Sequence, residues 1–173
     1  LSEGLNDILV AVAGDDGEII ATTSLQGTYV RKSEASGAVT QESGGTAEVT
    51  DNTNFLFGSS IEIPPGAATR AFDTSIILDL VHIPNLPFGF VAVGPPVTFT
   101  PVAEVFSGTN KATLSVPVNA IDLPEGSSFD DVQILGFSDD GWVFVGASPI
   151  VGERRRHSFE VSALDVGPFM AVV

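Results

Sequence analysis

The chain has 173 residues, 43% of them hydrophobic, and it carries 22 Asp and Glu against 7 Lys and Arg, for a formal net charge of -15. This length and composition predict one globular core, and exclude both a disordered chain and two complete domains. The acidic excess excludes nucleic acid as a partner, because binding it requires Lys and Arg to neutralise phosphates. The absence of cysteine excludes disulfides, zinc thiolates and a cysteine nucleophile.

Two further features bear on where the chain works. Its longest uninterrupted apolar run, residues 8–13, is far shorter than the ~20 residues that a membrane-spanning helix needs. We therefore expect no membrane insertion. Because the sequence opens at Leu1 and not at a methionine, we expect a processed mature protein or a domain excised from a longer chain.

The first 32 residues predict a β-hairpin. Ile8, Val10 and Val12 point to one face of a strand, and the side chains between them are apolar too. We expect this strand to be buried on both sides. Glycine and aspartate then favour a turn, and residues 18–24 predict the returning strand.

Residues 33–46 differ in composition from both flanks. Ser, Glu, Gly, Ala, Thr and Gln make up nearly all of this segment, and Val39 is its only large apolar residue. Such a composition is typical of a flexible linker. The predicted organisation is therefore an N-terminal hairpin segment at 1–32, a flexible connection at 33–46 and a β-sandwich domain at 47–173.

The rest of the chain predicts an all-β domain. Short runs of β-branched and aromatic residues recur between Gly, Pro, Asn and Asp, with almost no helical periodicity. The alternation is clean in residues 111–118, where Pro117 on the outward register indicates an edge strand. The predicted strands are 55–57, 61–63, 74–83, 90–93, 97–100, 111–118, 132–137, 142–145, 157–161 and 169–173. We expect a two-sheet antiparallel β-sandwich with an additional N-terminal β-hairpin.

Five segments, taken in order, carry a family pattern: residues 44–46, 60–67, 93–101, 114–118 and 139–142. The most specific piece is the Pro-Pro-Gly-Ala strand end in the second of them. Over about residues 44–173 the chain resembles the domain shared by zonula occludens proteins, netrin receptors and ankyrins, and it is most similar to the bacterial versions in large secreted or surface-attached proteins. The resemblance implies an extracellular β-sandwich used for protein interaction or as a spacer.

Some members of that family cleave their own backbone at a His-Phe-Ser sequence near the last strand, where the hydroxyl attacks the preceding carbonyl. The matching segment here, residues 164–169, contains neither His nor Ser. His157, Ser158 and Phe159 supply the same residue types in another order and one strand earlier. Self-cleavage is therefore not expected, because the hydroxyl and its base are not at the matching positions.

His82 and His157 are the only histidines, and neither is placed for catalysis. A Ser-His-acid hydrolase holds its histidine between the nucleophile and a carboxylate. Ser158 is adjacent to His157, and Asp79 lies three positions before His82, so each pair points to opposite faces of a strand. We interpret both as structural histidines and predict a protein without enzyme activity.

Paired acids occur at residues 15–16, 130–131 and 139–140, and oxygen-rich clusters can hold calcium. None of the pairs matches the twelve-residue calcium loop, and the last two lie at opposite ends of one predicted strand. We interpret them as solvated turn residues and predict no cofactor. Calcium bridging between subunits is kept as an alternative.

A basic cluster and the apolar first strand are the candidate contacts with a partner. The cluster is interpreted as a solubilising hairpin turn, with docking to an acidic patch on a neighbouring copy as the alternative. The first strand either completes its own sheet or inserts into an adjacent subunit. The candidate subunit contacts are therefore Ile8, Val10, Val12, Arg154, Arg155 and Arg156.

These features predict a non-catalytic extracellular or cell-surface module for adhesion or spacing, with other protein domains or copies of itself as partners. The alternative is a self-assembling homo-oligomeric subunit of a surface filament or layer, in which the N-terminal strand is exchanged and cations screen the acidic surface. A self-cleaving or hydrolytic domain is the third and least supported interpretation.

Overall fold

The computed structural model describes residues 4–13, 18–29, 33–78, 85–102, 104–107, 110–119, 122–146, 156–165 and 167–173. The chain divides into two compact units, residues 1–31 and residues 32–173. All described strand pairs are antiparallel, and the described stretches contain no α-helix. Accordingly, no helix in those stretches has the length and apolar character needed to cross a membrane.

The smaller unit is a β-hairpin, as predicted. Its strands are β1 (Gly4–Ala13) and β2 (Ile19–Tyr29), which pair from Gly4 opposite Tyr29 to Val12 opposite Ala21 before a bulge. The expected burial on both sides is wrong where side chains are described, because Val10 and Val12 are 40% and 52% exposed. A two-stranded sheet has no second layer of its own to cover its side chains.

The larger unit contains two sheets. Its strands are β3 (Ser33–Val39), β4 (Gly45–Glu48), β5 (Ser60–Ile63), β6 (Phe72–Leu78), β7 (Val97–Thr100), β8 (Ala112–Pro117), β9 (Gln133–Ser138), β10 (Gly141–Gly146), β11 (Arg156–Val161) and β12 (Phe169–Val172). Six of them pair in the order β10-β9-β12-β7-β6-β3, and four in the order β11-β8-β5-β4. The predicted all-β sandwich with an N-terminal hairpin is confirmed.

One hydrophobic core joins the two sheets. Leu114 and Val116 of β8 are fully buried, as the alternation in that strand predicts. The ring of Phe169 lies 5.8 Å from the ring of Phe99, and both belong to the six-stranded sheet. It also lies 5.2 Å from the ring of Phe159 in the four-stranded sheet. These contacts join the two sheets in one apolar interior. Burial of each such side chain contributes roughly 1.5–3 kcal/mol to the stability of the fold.

Residues 33–39 form a strand, which corrects their interpretation as part of a flexible connection. β3 pairs with β6 along its length, and Val39 is buried in the core. A tight turn with reciprocal Thr40 and Gly44 backbone hydrogen bonds then leads into β4 in the other sheet. Backbone pairing needs no large apolar side chain, so a small, polar composition does not exclude a strand.

Three other strand predictions are wrong. Residues 90–93 form an isolated bridge, in which Ala92 is opposite Val172 of β12, and not a strand. Residues 55–57 lie in a turn, in which the amide of Leu56 donates to the Asn54 side chain at 2.8 Å. This local hydrogen bond takes the place of pairing with a neighbouring strand. Pro117 does not mark an edge, because β8 lies between β11 and β5. The proline is opposite Arg156 at the end of the ladder, where a missing N–H donor has little effect.

A second, smaller cluster covers the outer face of the six-stranded sheet. Leu135, Met170 and Val172 alternate with the core-facing residues of β9 and β12 and are buried. Trp142 packs against them, and its indole N–H donates to the Asn85 carbonyl at 3.0 Å. The Trp ring is therefore a structural cover for the sheet.

Candidate functional site

His157 is a buried structural residue of β11. It is 1% exposed, and its Nε2 lies 3.1 Å from the carbonyl oxygen of Phe129. Ser158 points to the opposite side of the strand, where its Oγ lies 2.8 Å from that of Ser115 in β8. The structure therefore does not bring this histidine and its neighbouring hydroxyl together. His82 lies outside the described residues.

The acidic pair at 130–131 stabilises a local turn. Asp131 Oδ2 accepts hydrogen bonds from the Ser128 amide at 2.7 Å and from its hydroxyl at 2.9 Å, which closes a turn of 3-10 helix at Phe129–Asp131. These two hydrogen bonds lower the pKa of the Asp131 carboxyl. Hydrogen bonds from the amide and hydroxyl of Thr53 lower the pKa of Asp51 in the same way.

The other acidic pairs form no cluster in the described structure. Asp139 and Asp140 are exposed in the turn between β9 and β10, and residues 15–16 lie outside the described stretches. Among the described residues, no group of three or more Asp, Glu or His side chains could hold a metal ion. A calcium site between subunits stays a prediction.

Only one of the three clustered arginines is described. The guanidinium of Arg156 lies 3.4 Å from a carboxylate oxygen of Glu48 and 3.4 Å from the carbonyl oxygen of Gly58. This arginine therefore links β11 to β4 at the two ends of the four-stranded sheet. Arg154 and Arg155 lie outside the described residues, so their predicted contact role stays a prediction.

A second ion pair, which was not predicted from the sequence, involves a buried carboxylate. Glu104 is 5% exposed and lies 2.8 Å from the guanidinium of Arg70, whose side chain is 67% exposed. Its backbone carbonyl also accepts from the amide of Leu164 at 2.7 Å. These residues lie far apart in sequence and in segments without a strong local pattern, so no sequence signal pairs them.

A groove of about 630 Å³ opens beside the turn that follows β4. Its walls combine aromatic, proline and amide side chains from residues 52–57, 92–95, 117–119 and 122. Phe55 at the rim is 83% exposed, whereas Asn54 is held by hydrogen bonds to Glu34 and Leu56. The groove is thus a mixed surface depression, and none of its polar groups is both buried and unpaired.

The outer strands of the three sheets differ sharply in charge. Four of the six outer strands contain charged residues: Asp7 in β1, Glu34 in β3, Glu48 in β4, and Arg156 and Glu160 in β11. β2 and β10 contain none, and neither contains proline. Charges and prolines on outer strands normally block pairing with another chain. Within the described residues, β2 and β10 are therefore the two unprotected edges.

Both unprotected strands also present apolar side chains to solvent. Ile19 and Ile20 of β2 are 61% and 66% exposed, and Phe144 of β10 is 61% exposed. Val10 and Val12 on the adjacent β1 are exposed as well, whereas the side chain of Ile8 lies outside what the structure describes. Two of the three predicted N-terminal contact residues, Val10 and Val12, thus have exposed side chains.

The chain matches no protein-family model and no curated protein sequence. The resemblance noted in the sequence therefore stays an expectation about family and function. The candidate site consists of the two uncharged outer strands, β2 and β10. Sequence reasoning identified the hairpin by its apolar run, but it missed the edge at β10, because strand order within a sheet cannot be read from local periodicity.

Proposed function

We propose that this chain is a non-catalytic structural or adhesion module of an extracellular or cell-surface protein, and that it works through protein–protein contacts made by its N-terminal hairpin. The observation that carries this proposal is that the chain combines a packed sandwich with a hairpin unit whose described apolar side chains, Val10, Val12, Ile19 and Ile20, are exposed. A hairpin with no further layer is marginally stable in water, so a partner strand or surface would stabilise it.

The charge of the chain supports the same role. At -15, isolated copies repel each other and remain soluble, while the uncharged strand β2 of the hairpin keeps one attractive surface. The resemblance to bacterial surface modules agrees with an extracellular setting. His157 and Ser158 make structural hydrogen bonds to different partners, which supports a role that does not depend on catalysis.

A second candidate function is self-assembly into a surface filament or layer. The absence of charge from β2 favours it, because an eleven-residue strand without charge or proline is suited to pairing with another chain. In this case the partner is another copy, and cations strengthen association by screening the acidic surfaces.

Hydrogen exchange at two protein concentrations tests the proposed interaction role. In dilute, monomeric protein we expect the amides of β1 and β2 to exchange much faster than those of β8, because the hairpin is a two-stranded sheet with exposed valine and isoleucine side chains. At high concentration, or with a partner domain, the hairpin amides become protected while β8 is unchanged. Hairpin amides that are already as protected as β8 in the monomer would contradict the proposal.

A further inference from the structure

We infer that β10 is the acceptor edge for the N-terminal hairpin of a second copy, with β2 adding to the six-stranded sheet as its next strand. This inference rests on the proposed self-assembly and deepens it by naming both surfaces. It is carried by the position of β10 at the outer edge of its sheet and by the absence of charge from both strands.

Charge decides which outer strands can meet. Two copies at -15 each approach against long-range repulsion, and a carboxylate brought against a new strand must also lose water. The outer strands β3 and β4 contain Glu34 and Glu48, and β11 contains Glu160. Pairing with any of these desolvates charge, whereas β10 reads Gly-Trp-Val-Phe-Val-Gly and desolvates none.

Charge also distinguishes β2 from β1 as the donor strand. β1 contains Asp7, whereas β2 has eleven residues without charge or proline. Residues 141–144 of β10, which pair with β9 in regular register before the shift between Phe144 and Gly146, can be paired by one continuous segment of β2. Main-chain hydrogen bonds to an unpaired edge supply affinity in strand addition, and the side chains on either face supply specificity.

Side-chain placement on β10 suits an added strand. Phe144 is opposite Leu135 of β9, whose side chain belongs to the outer cluster, so the exposed ring borders an apolar surface. Val143 on the other face is 37% exposed. An added β2 would cover both faces of the edge with residues such as Ile20, which is itself 66% exposed.

Site-specific cross-linking in the full-length chain tests the pairing, and the absence of native cysteine makes it unambiguous. One preparation carries Val143→Cys and a second, isotopically labelled one carries Thr23→Cys; the two are mixed with a short bismaleimide. We expect mixed cross-linked dimers at least about tenfold above the level obtained when Val105→Cys replaces the Val143 variant, since Val105 is exposed but outside β10. Mixed dimers at the control level would overturn the inference. A variant that carries both cysteines in one chain and cross-links only within that chain would overturn it too.

An equilibrium measurement separates this inference from the proposed function. Phe144→Lys puts a charge on the acceptor edge, and we expect sedimentation equilibrium to show self-association weakened about tenfold, with Phe88→Lys as the matched control on an exposed loop. If association depends on the hairpin but is unaffected by Phe144→Lys, the acceptor is elsewhere and the inference fails alone. If the chain stays monomeric at every concentration, self-assembly fails with it.

Discussion

A glycine at the crossing of β3 and β4 provides the sharpest test of the fold. Gly37 of β3 lies directly over the backbone of β4, and a Cβ atom built at this position would collide with the carbonyl oxygen of Thr46. That oxygen belongs to the main chain of a strand, so no rotamer change can relieve the contact. Gly37→Ala must therefore displace one strand relative to the other.

The size of the effect follows from two opposing terms. Forcing an extra methyl group into a packed site costs about 3 kcal/mol, whereas replacing glycine by alanine restricts the unfolded chain and returns about 1 kcal/mol. We expect a net loss of about 2 kcal/mol in the free energy of unfolding. For a unit of about 140 residues, with an unfolding entropy of roughly 2.1 cal/mol/K per residue, the melting temperature should fall by about 7 °C.

Differential scanning calorimetry of the full-length chain measures this shift, with Ser36→Ala as the control. Ser36 precedes Gly37 in the same strand and is exposed, so its substitution should move the melting temperature by less than about 2 °C. If Gly37→Ala melts as the parent does, β3 does not press against β4. The pairing of β3 with β6 would stand, since it does not depend on that contact.

Three further outcomes test the core, a turn and an ion pair. Leu114→Ala should lower the free energy of unfolding by about 3 kcal/mol in urea titrations, because the buried side chain leaves a cavity between the sheets. Asp131 stabilises the fold when ionised, so its contribution is present at neutral pH and is lost as the pH falls through its lowered pKa. Ser128→Ala removes the hydroxyl and keeps the amide, so it should raise the midpoint of the Asp131 carboxyl only part of the way in an NMR titration, and an unchanged midpoint would show that the hydroxyl does not contribute to the shift. Arg156→Gln should cost less than about 1 kcal/mol, and high salt should reduce the difference, since both partners of its pair with Glu48 are partly exposed.

Local periodicity was sufficient for strands that turn an apolar face to the core. β8 shows why: Ala112, Leu114 and Val116 alternate with smaller or polar residues, and a period of two is direct evidence of a strand beside a core. The turn at 138–141 was also predictable, because Asp-Asp-Gly favours a tight reversal and Gly141 has a positive φ of 112°.

Long-range pairing could not be read from the same signals. β3 is held by backbone hydrogen bonds to β6, which lies more than 30 positions further along the chain, and by close approach to β4 in the other sheet. The prediction that β1 is buried on both sides was wrong for a different reason. Hydrophobicity predicts a preference for burial, and it does not predict that a covering layer is present. For the same reason, the exposed β10 edge became visible only once the strand order was known.

β2 and β10 contain fewer charged residues than the average composition of the chain predicts. With 17% charged residues overall, the eleven residues of β2 and the six of β10 would together carry about three charges, and they carry none. A protein at -15 has an ample supply of carboxylates with which to protect an edge, as β1, β3 and β4 illustrate. Because an unprotected edge invites unwanted pairing, leaving two of them uncharged is disadvantageous unless they pair with something. The two units of the chain thus each retain one edge of the same chemistry, which is what strand exchange between copies requires.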